Sequence, residues 1–430
     1  MSVTPKSEEA PLSFQGLVRL AVNHIYSFCE WNHFKYDHVI VVFAYFMIGI
    51  IWGSLSPVLQ KHRNPNDELY FSDEDCTWMV TSQNLGYFVG CSLLTLVADK
   101  VGRNTVIISS TLLVLVSCSV ALIKKVILLQ LSRFLAGMTV GINAIIIPIY
   151  IGENSSPNVR GVFNSVTNLF IDVGMIFSSS VTTYCSYEIS AVIFVAASLV
   201  NLLSEMLLRE PAQHLLAKGR QTKAENQFFW LRGRNEVSQK EFDDITMSLN
   251  KEKAKFSWTF VFDRNFQITA VMSTFMVLTG YFPVVSLVSI ILVPTKKLAT
   301  NELAILFNMF QLSGSVISPF IIDRFRRRTL WIFSAILVTV SHIFTAALYI
   351  CREKGFEVWN AEWLLFGSVT AYATIFAALM YPLVPEQKRA ASRFIHSRAV
   401  SQICSFQKPG LQNQTTLEQT ISNLAPTASA

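Results

Sequence analysis

Charged side chains are scarce in this sequence: Asp, Glu, Lys and Arg make up 15% of its 430 residues, against about a quarter in an ordinary soluble domain. With 51% hydrophobic residues and a mean hydropathy of +0.41, that scarcity excludes a soluble globular protein. Paired cysteines are lacking too. Cys29, Cys76, Cys91, Cys118, Cys185, Cys351 and Cys404 stand singly, with no Cys-x-x-Cys and no zinc spacing, so free thiols are expected and no metal site. Cys76, Cys185 and Cys351 fall in expected outside loops, where a disulfide is the alternative to free thiols. Neither a nucleotide-binding loop nor a nucleophile with a base beside it in sequence is present, which leaves no expectation of enzyme chemistry, a catalytic residue or a cofactor. A cleavable signal peptide is not visible either. The first apolar run starts only near His38, behind a polar segment holding Lys6, Glu8, Glu9, Arg19 and Lys35.

The net charge is +6, yet much of the basic excess sits between hydrophobic segments, where cytoplasmic loops face anionic lipid. Nucleic-acid binding is therefore rejected, and the expected surrounding is a lipid bilayer. What the chain has in plenty is long apolar runs, each near the roughly 20 residues that a crossing requires. They lie at 39–59, 78–98, 105–123, 126–151, 161–184 and 190–208, and, past a polar helix-favouring stretch, at 266–293, 303–322, 330–350 and 363–382. Residues 60–77, rich in Asp and Glu, read as an exposed outside loop, with Trp78 as an interfacial anchor. After 382 no run is long enough to cross. The expected fold is an all-α membrane protein of about ten transmembrane helices. Its parts are a cytoplasmic segment at 1–38, a six-helix bundle at 39–208, a cytoplasmic helical linker at 209–264, a partial four-helix bundle at 265–385 and a polar tail at 386–430.

The stretch from Arg133 to Gly161 carries the most information. An arginine opens an apolar run, Gly137 and Gly141 follow four apart, and Pro148-Ile-Tyr150-Ile-Gly-Glu153 leads to Arg160-Gly161. Small residues at that spacing let a neighbouring helix approach closely, and an arginine in hydrocarbon normally faces a partner or a wet cavity. This order resembles the fourth span and following loop of the sugar porter family, within the major facilitator superfamily. Asp99-Lys-Val-Gly-Arg-Asn104 resembles the superfamily's Asp-x-x-Gly-Arg loop between spans two and three, with Asn104 in place of the last basic residue and Thr95 where a glycine is usual. Asp323-Arg-Phe-Arg-Arg-Arg328 stands at the matching place in the second half, as parallel repeats require, though Arg326 replaces the glycine. The segment Arg209 to Arg220 looks like a worn copy of the family's linker motif, with Glu210 kept. Glu386 and Arg389 are similar to its second-half counterpart.

The resemblance implies two six-helix repeats rocking about a central site, the second half here being incomplete and open to a covering protein partner. It also implies a cytoplasmic gate of charges, made by Asp99, Arg103, Glu153, Arg160 and Glu210 with Asp323, Arg327, Glu386 and Arg389. Such pairs act as a gate because they break when the halves tilt, and only differential interactions shift a two-state equilibrium. At the substrate site the sequence departs from the family. Sugar porters place a Gln-Gln-Leu-Ser-Gly element in span seven, whereas this chain reads Met276-Val-Leu-Thr-Gly280. The remaining polar candidates for substrate contact are Gln83, Asn84, Asn143, Asn168, Tyr281, Asn308 and Gln311, each of which could equally bond a neighbouring helix.

Arg133 matches an arginine that pairs, in proton-coupled sugar porters, with an aspartate in span one. Span one here has no acid. Asp172, midway along span five, is the alternative partner, since the two differ in expected depth by about 6 Å. The leading reading is a facilitative transporter of a sugar such as trehalose or a hexose, and the Tyr150-to-Pro157 run resembles the insect facilitated trehalose transporter group. The alternatives are a carrier of another small organic solute or ion, and a non-transporting sensor. The plasma membrane is the family's usual location.

Overall fold

The computed structural model describes residues 36–63, 69–154, 160–251, 278–292, 294–295, 298–324, 327–356 and 360–380, with isolated positions 267, 271 and 274. Its regular elements are helical. In the first half these are α1 (Tyr36–Lys61), α2 (Asp73–Val101), α3 (Arg103–Ala121), α4 (Val126–Asn154), α5 (Arg160–Tyr184) and α6 (Tyr187–Glu205). The linker contributes α7 (Ala212–Ala217), α8 (Gln221–Arg232) and α9 (Glu236–Lys251), and the second half α10 (Tyr281–Ile291), α11 (Thr300–Arg324), α12 (Arg327–Glu353) and α13 (Ala361–Ile375). A π-turn, Phe376–Met380, continues α13.

Among the described residues, six helices are long and apolar enough to cross a membrane: those of α1, α3, α4, α6, α12 and α13 with its π-turn. Helices α2, α5 and α11 are also long enough, at 29, 25 and 25 residues. Apolar α1 is buried nearly all round, between α5, α6 and α10, as expected of a helix hydrophobic on every face. By contrast α12 exposes Ile332, Phe333, Ile336, Val340 and Ile343 on one side, a face suited to lipid. Where α5 of the first half packs on α11 of the second, Asp172, Asn308 and Gln311 are carried inward and buried.

Helix α2 meets α4 at backbone contact. A Cβ at Gly137 would lie 2.0 Å from the carbonyl oxygen of Gln83, and one at Gly86 2.0 Å from that of Phe134. The glycine spacing is thus used as the sequence suggests, to bring two backbones together.

Two expectations need correction. The stretch 60–77 is not loop throughout, because α2 already begins at Asp73. Ser72 and Asp75 form a capping box, with Ser72 Oγ accepting from the Asp75 N–H at 3.2 Å and the Ser72 N–H donating to the Asp75 carboxylate at 3.1 Å. Acids in a first turn also suit the positive end of the helix dipole. Cys76 is consequently buried inside that turn. The seventh run is not one helix, since Thr279 and Gly280 form a turn, Gly280 has φ of 75°, and α10 starts just after it. A positive φ is easily adopted only without a Cβ.

The linker helices have a small core of their own, built on Ala224, Phe228, Phe229 and Phe242. Arg209 lies 3.8 Å above the ring of Trp230, and Arg232 pairs with Glu241.

Candidate functional site

On the linker side, Arg103 is the centre of a charge cluster. Its Nη2 stands 3.2 Å from Glu153 Oε1 at the end of α4, and its Nη1 is 2.9 Å from His214 Nδ1 on α7. A guanidinium only donates, so His214 Nδ1 accepts and Nε2 carries the ring proton, 3.6 Å from Glu210 Oε1. The Glu210 carboxylate in turn accepts the backbone N–H of Arg103 at 2.7 Å and of Asn104 at 3.2 Å, capping α3 from a distant part of the chain. Asn104 Nδ2 donates to the carbonyl of Leu208 at 2.8 Å. The residue that departs from the family motif thus makes a local bond of its own. Tyr150 adds a bond from its hydroxyl to the carbonyl of Arg209 at 2.9 Å.

Of the remaining gate residues, Asp99, Arg160, Asp323 and Arg327 belong to described helices, but their side chains lie outside the described residues. So do Glu386 and Arg389 entirely. His214 is not singled out from sequence, and Tyr150 reads there only as an element of the Pro148-to-Glu153 motif, with no role of its own. His214 sits four residues after Glu210, which precedes α7, and an imidazole so near the motif's acid is the signal that could have found it.

Between the halves the structure brings together three of the candidate residues. Gln311 Nε2 donates to Asp172 Oδ1 at 2.9 Å, and Asn308 Nδ2 donates to Ser179 Oγ at 2.9 Å. All four side chains are buried, and Asp172 Oδ2, Gln311 Oε1 and Asn308 Oδ1 have no hydrogen-bond partner among the described residues. On the outer side Ser56 of α1 accepts from the backbone N–H of Ser289 on α10 at 2.6 Å. Gln83 on α2 is buried as well, and neither its Nε2 nor its Oε1 finds a partner among the described residues. Buried amides are normally satisfied, and these atoms remain open to a further polar partner.

Other candidates are used differently. Asn143 accepts from Ser110 Oγ at 2.7 Å, a bond between α4 and α3 inside the first half. Asn84 and Asn168 are half-buried and make no hydrogen bond among the described residues.

Arg133 and Asp172 do not form the expected pair. Arg133 Nη1 donates instead to the carbonyl of Ile51 at 3.3 Å and to Ser54 Oγ at 3.2 Å, both on α1. Depth along the membrane normal was the whole basis for the pair, and depth does not fix the direction in which a side chain leaves its helix. Here α4 and α5 touch little, and the side chains leave in different directions, Arg133 to α1 and Asp172 to α11.

Tyr281 belongs to a run of aromatic rings that crosses from one half to the other. Trp52 and Tyr87 in the first half lie 5.2 and 6.4 Å from Phe282, measured between ring centres. Phe282 touches Tyr281, which stacks on Phe376 at 4.0 Å and 13°. Tyr372 and His342 extend the run into the second half. The break before α10 leaves the carbonyl of Thr279 outside any helix, and it accepts from Tyr372 Oη at 3.0 Å and from His342 Nε2 at 3.0 Å. Irregular backbone in a membrane requires such satisfaction. Sequence reading missed Trp52, Phe282, Tyr372 and Phe376, since aromatic residues in apolar runs give no sign of which face they occupy. Tyr87 lies one turn past Gln83, placing an amide and a ring on the same face of α2.

Known proteins show the same architecture. The family described as "Sugar (and other) transporter" matches residues 23–405. The facilitated trehalose transporter Tret1 of Drosophila pseudoobscura pseudoobscura is 22% identical over 378 residues, 84% of this chain and 43% of its own length. That of Bombyx mori is 23% identical over 344 residues, 78% of this chain and 68% of its own. The chain thus spans less than half of the Drosophila relative. Among solved structures, the xylose transporter XylE from E. coli in a partially occluded inward open conformation superposes with a TM-score of 0.69 at 15% identity, covering 86% of this chain and 90% of that one. XylE bound to 6-bromo-6-deoxy-D-glucose, a major facilitator superfamily proton:xylose symporter, gives 0.65 at 15%, covering 89% of both. These superpositions show a shared fold.

Proposed function

From the premise that this chain belongs to the sugar (and other) transporter family, a multi-pass membrane protein of major facilitator fold and not an enzyme, we propose that it moves a sugar across the membrane by alternating access. The observation that carries the proposal is the set of orphaned amide atoms of Gln83, Asn308 and Gln311, together with the aromatic run joining the halves. An amide offers a donor and an acceptor at once, which matches a hydroxyl that does both. Rings supply the apolar platform on which the faces of a sugar pack. Trehalose is the substrate named for the relatives, and a hexose or pentose is compatible with the same chemistry.

In this reading Gln83, Asn308, Gln311 and Tyr281 contact the solute, while Arg103, Glu153 and Glu210, joined by Asp99, Arg160, Asp323, Arg327, Glu386 and Arg389, close the cytoplasmic side. Asp172 contributes by holding Gln311. Arg133 faces α1 and takes no part in a pair with Asp172. The loss of both span-seven glutamines supports a second reading, in which the solute is another small polar organic molecule.

Uptake of labelled trehalose, glucose, xylose and one organic cation in oocytes, with surface abundance quantified, tests both. Saturable sugar uptake is expected, and Gln83→Leu is expected to raise the half-saturation concentration about 10-fold, the effect of losing one or two hydrogen bonds to a neutral ligand. Cation uptake without sugar uptake would select the second reading. No uptake of any of the four at normal surface abundance would overturn both.

A further inference from the structure

A second site lies wholly inside the first half. A cavity bounded by α1, α3, α4 and α6 is lined by Ile51, Ser54, Ser117, Ser132, Arg133 and Tyr187, among others. It is closed off from α10 to α13 by α1 and so is separate from the contacts between the halves. Tyr187 stands in the first turn of α6 and donates to the carbonyl of Ala121, the last residue of α3, at 2.6 Å, which places the cavity towards the outer end of the bundle.

Arg133 is the one strongly basic group in its wall. A single guanidinium nitrogen makes both of its bonds, to neutral acceptors at 3.2 and 3.3 Å. Nε and Nη2 make no hydrogen bond among the described residues, and no carboxylate pairs with Arg133 there. The ionisable groups that face it are Cys118 and Tyr187, whose neutral forms supply no counter-charge. From Val39 to Lys61, α1 has no acid. A cation within a membrane bundle normally faces an acid, a backbone carbonyl or a wet cavity, because leaving it alone costs several kcal/mol. Two weak neutral contacts are a small return for a full charge. Ser132 adds a donor: Ser117 Oγ gives its proton to the carbonyl of Ser132 at 2.8 Å, leaving the Ser132 hydroxyl, 3.2 Å away, able to turn into the cavity.

We infer that this cavity binds a small monovalent anion of chloride size, held by the free edge of the Arg133 guanidinium and the Ser132 hydroxyl. The inference is independent of the solute carried, since the cavity is separate from the inter-half contacts. One cation among otherwise neutral hydroxyl and apolar side chains suits one negative charge, and a divalent anion would leave the cavity with net charge. The anion completes the packing of α1 against α4, so it acts as a structural cofactor of the first half.

The test is the thermal unfolding of the purified full chain in detergent, titrated with chloride against gluconate at constant ionic strength. A saturable rise in melting temperature of about 2 °C or more is expected with chloride, also with bromide and nitrate, and absent with sulfate. Arg133→Gln is expected to remove it. Should Arg133→Gln yield no folded protein, Ala191→Leu decides, because it fills the cavity with hydrocarbon and leaves the arginine in place. The chloride rise is then expected to vanish while melting in gluconate is retained. Equal melting in chloride and gluconate, or a chloride rise that persists in either variant, would overturn the inference.

Discussion

Gly137→Ala is expected to leave little or no folded protein. The new methyl carbon would stand 2.0 Å from the carbonyl oxygen of Gln83, 2.9 Å from its carbonyl carbon and 3.1 Å from its Cα. All three are backbone atoms of α2, so no rotamer change relieves the contact. Helices α2 and α4 would have to separate by more than an ångström along a contact that Gly86, Gly90 and Gly141 tighten from both sides. Overpacking a core that can shift costs about 1–3 kcal/mol, and this one cannot shift without losing its contact elsewhere. Against a total stability of about 5–15 kcal/mol, the loss is large. Gly152, in the same helix, is the control. A Cβ there meets nothing within 4 Å, so Gly152→Ala should be neutral or stabilise slightly through helix propensity. Size-exclusion profiles and melting curves of the two variants decide the matter. A monodisperse Gly137→Ala protein melting like the parent would show that α2 and α4 are not in backbone contact.

The same interface shows how far the sequence could be read. Glycines four apart beside an arginine specify a close helix crossing, and the crossing is there. Run lengths place the helices to within a few residues, because apolar length is a direct record of bilayer thickness. What is not recorded is rotation about each helix axis. Asp172 and Arg133 are at compatible depths, yet α1 stands between their helices and each finds other partners. Gln311 and Asn308 could each be read as contacting the solute or as bonding a neighbouring helix, and the structure shows each with one atom bonded to α5 and one unbonded among the described residues. The break at Thr279–Gly280 lies in a continuous apolar run that gives no hint of it. Its stabilisers, Tyr372 and His342, come from two other helices. Such groupings depend on which faces meet, and a single sequence without a partner's azimuth cannot supply that.

The charge cluster below the bundle is the opposite case, since motif order alone brought Arg103, Glu153 and Glu210 to attention, and the structure adds what Glu210 does. Its two oxygens accept the first two N–H groups of α3, at 2.7 and 3.2 Å, so one carboxylate satisfies two of the donors that a helix start leaves open. It also places a negative charge at the positive end of the dipole. Glu210→Ala removes both contributions and leaves Arg103 to Glu153 and His214. The expected loss is about 1–3 kcal/mol for unsatisfied N–H groups in a partly buried setting, with the dipole adding about 0.3–1 kcal/mol. Since 1.4 kcal/mol corresponds to about a factor of ten, hydrogen exchange at the amides of Arg103 and Asn104 should accelerate about 10-fold or more. Exchange in α6, which Glu210 does not touch, should change far less. Glu210→Gln is expected to fall between, because its amide retains one acceptor and turns the other into a donor facing an N–H. Unchanged exchange at Arg103 and Asn104 in Glu210→Ala would mean that water caps α3 as well as the carboxylate does. The link between the linker helices and the Asp99–Asn104 loop would then have to rest on Arg103, His214 and the Asn104 to Leu208 bond alone.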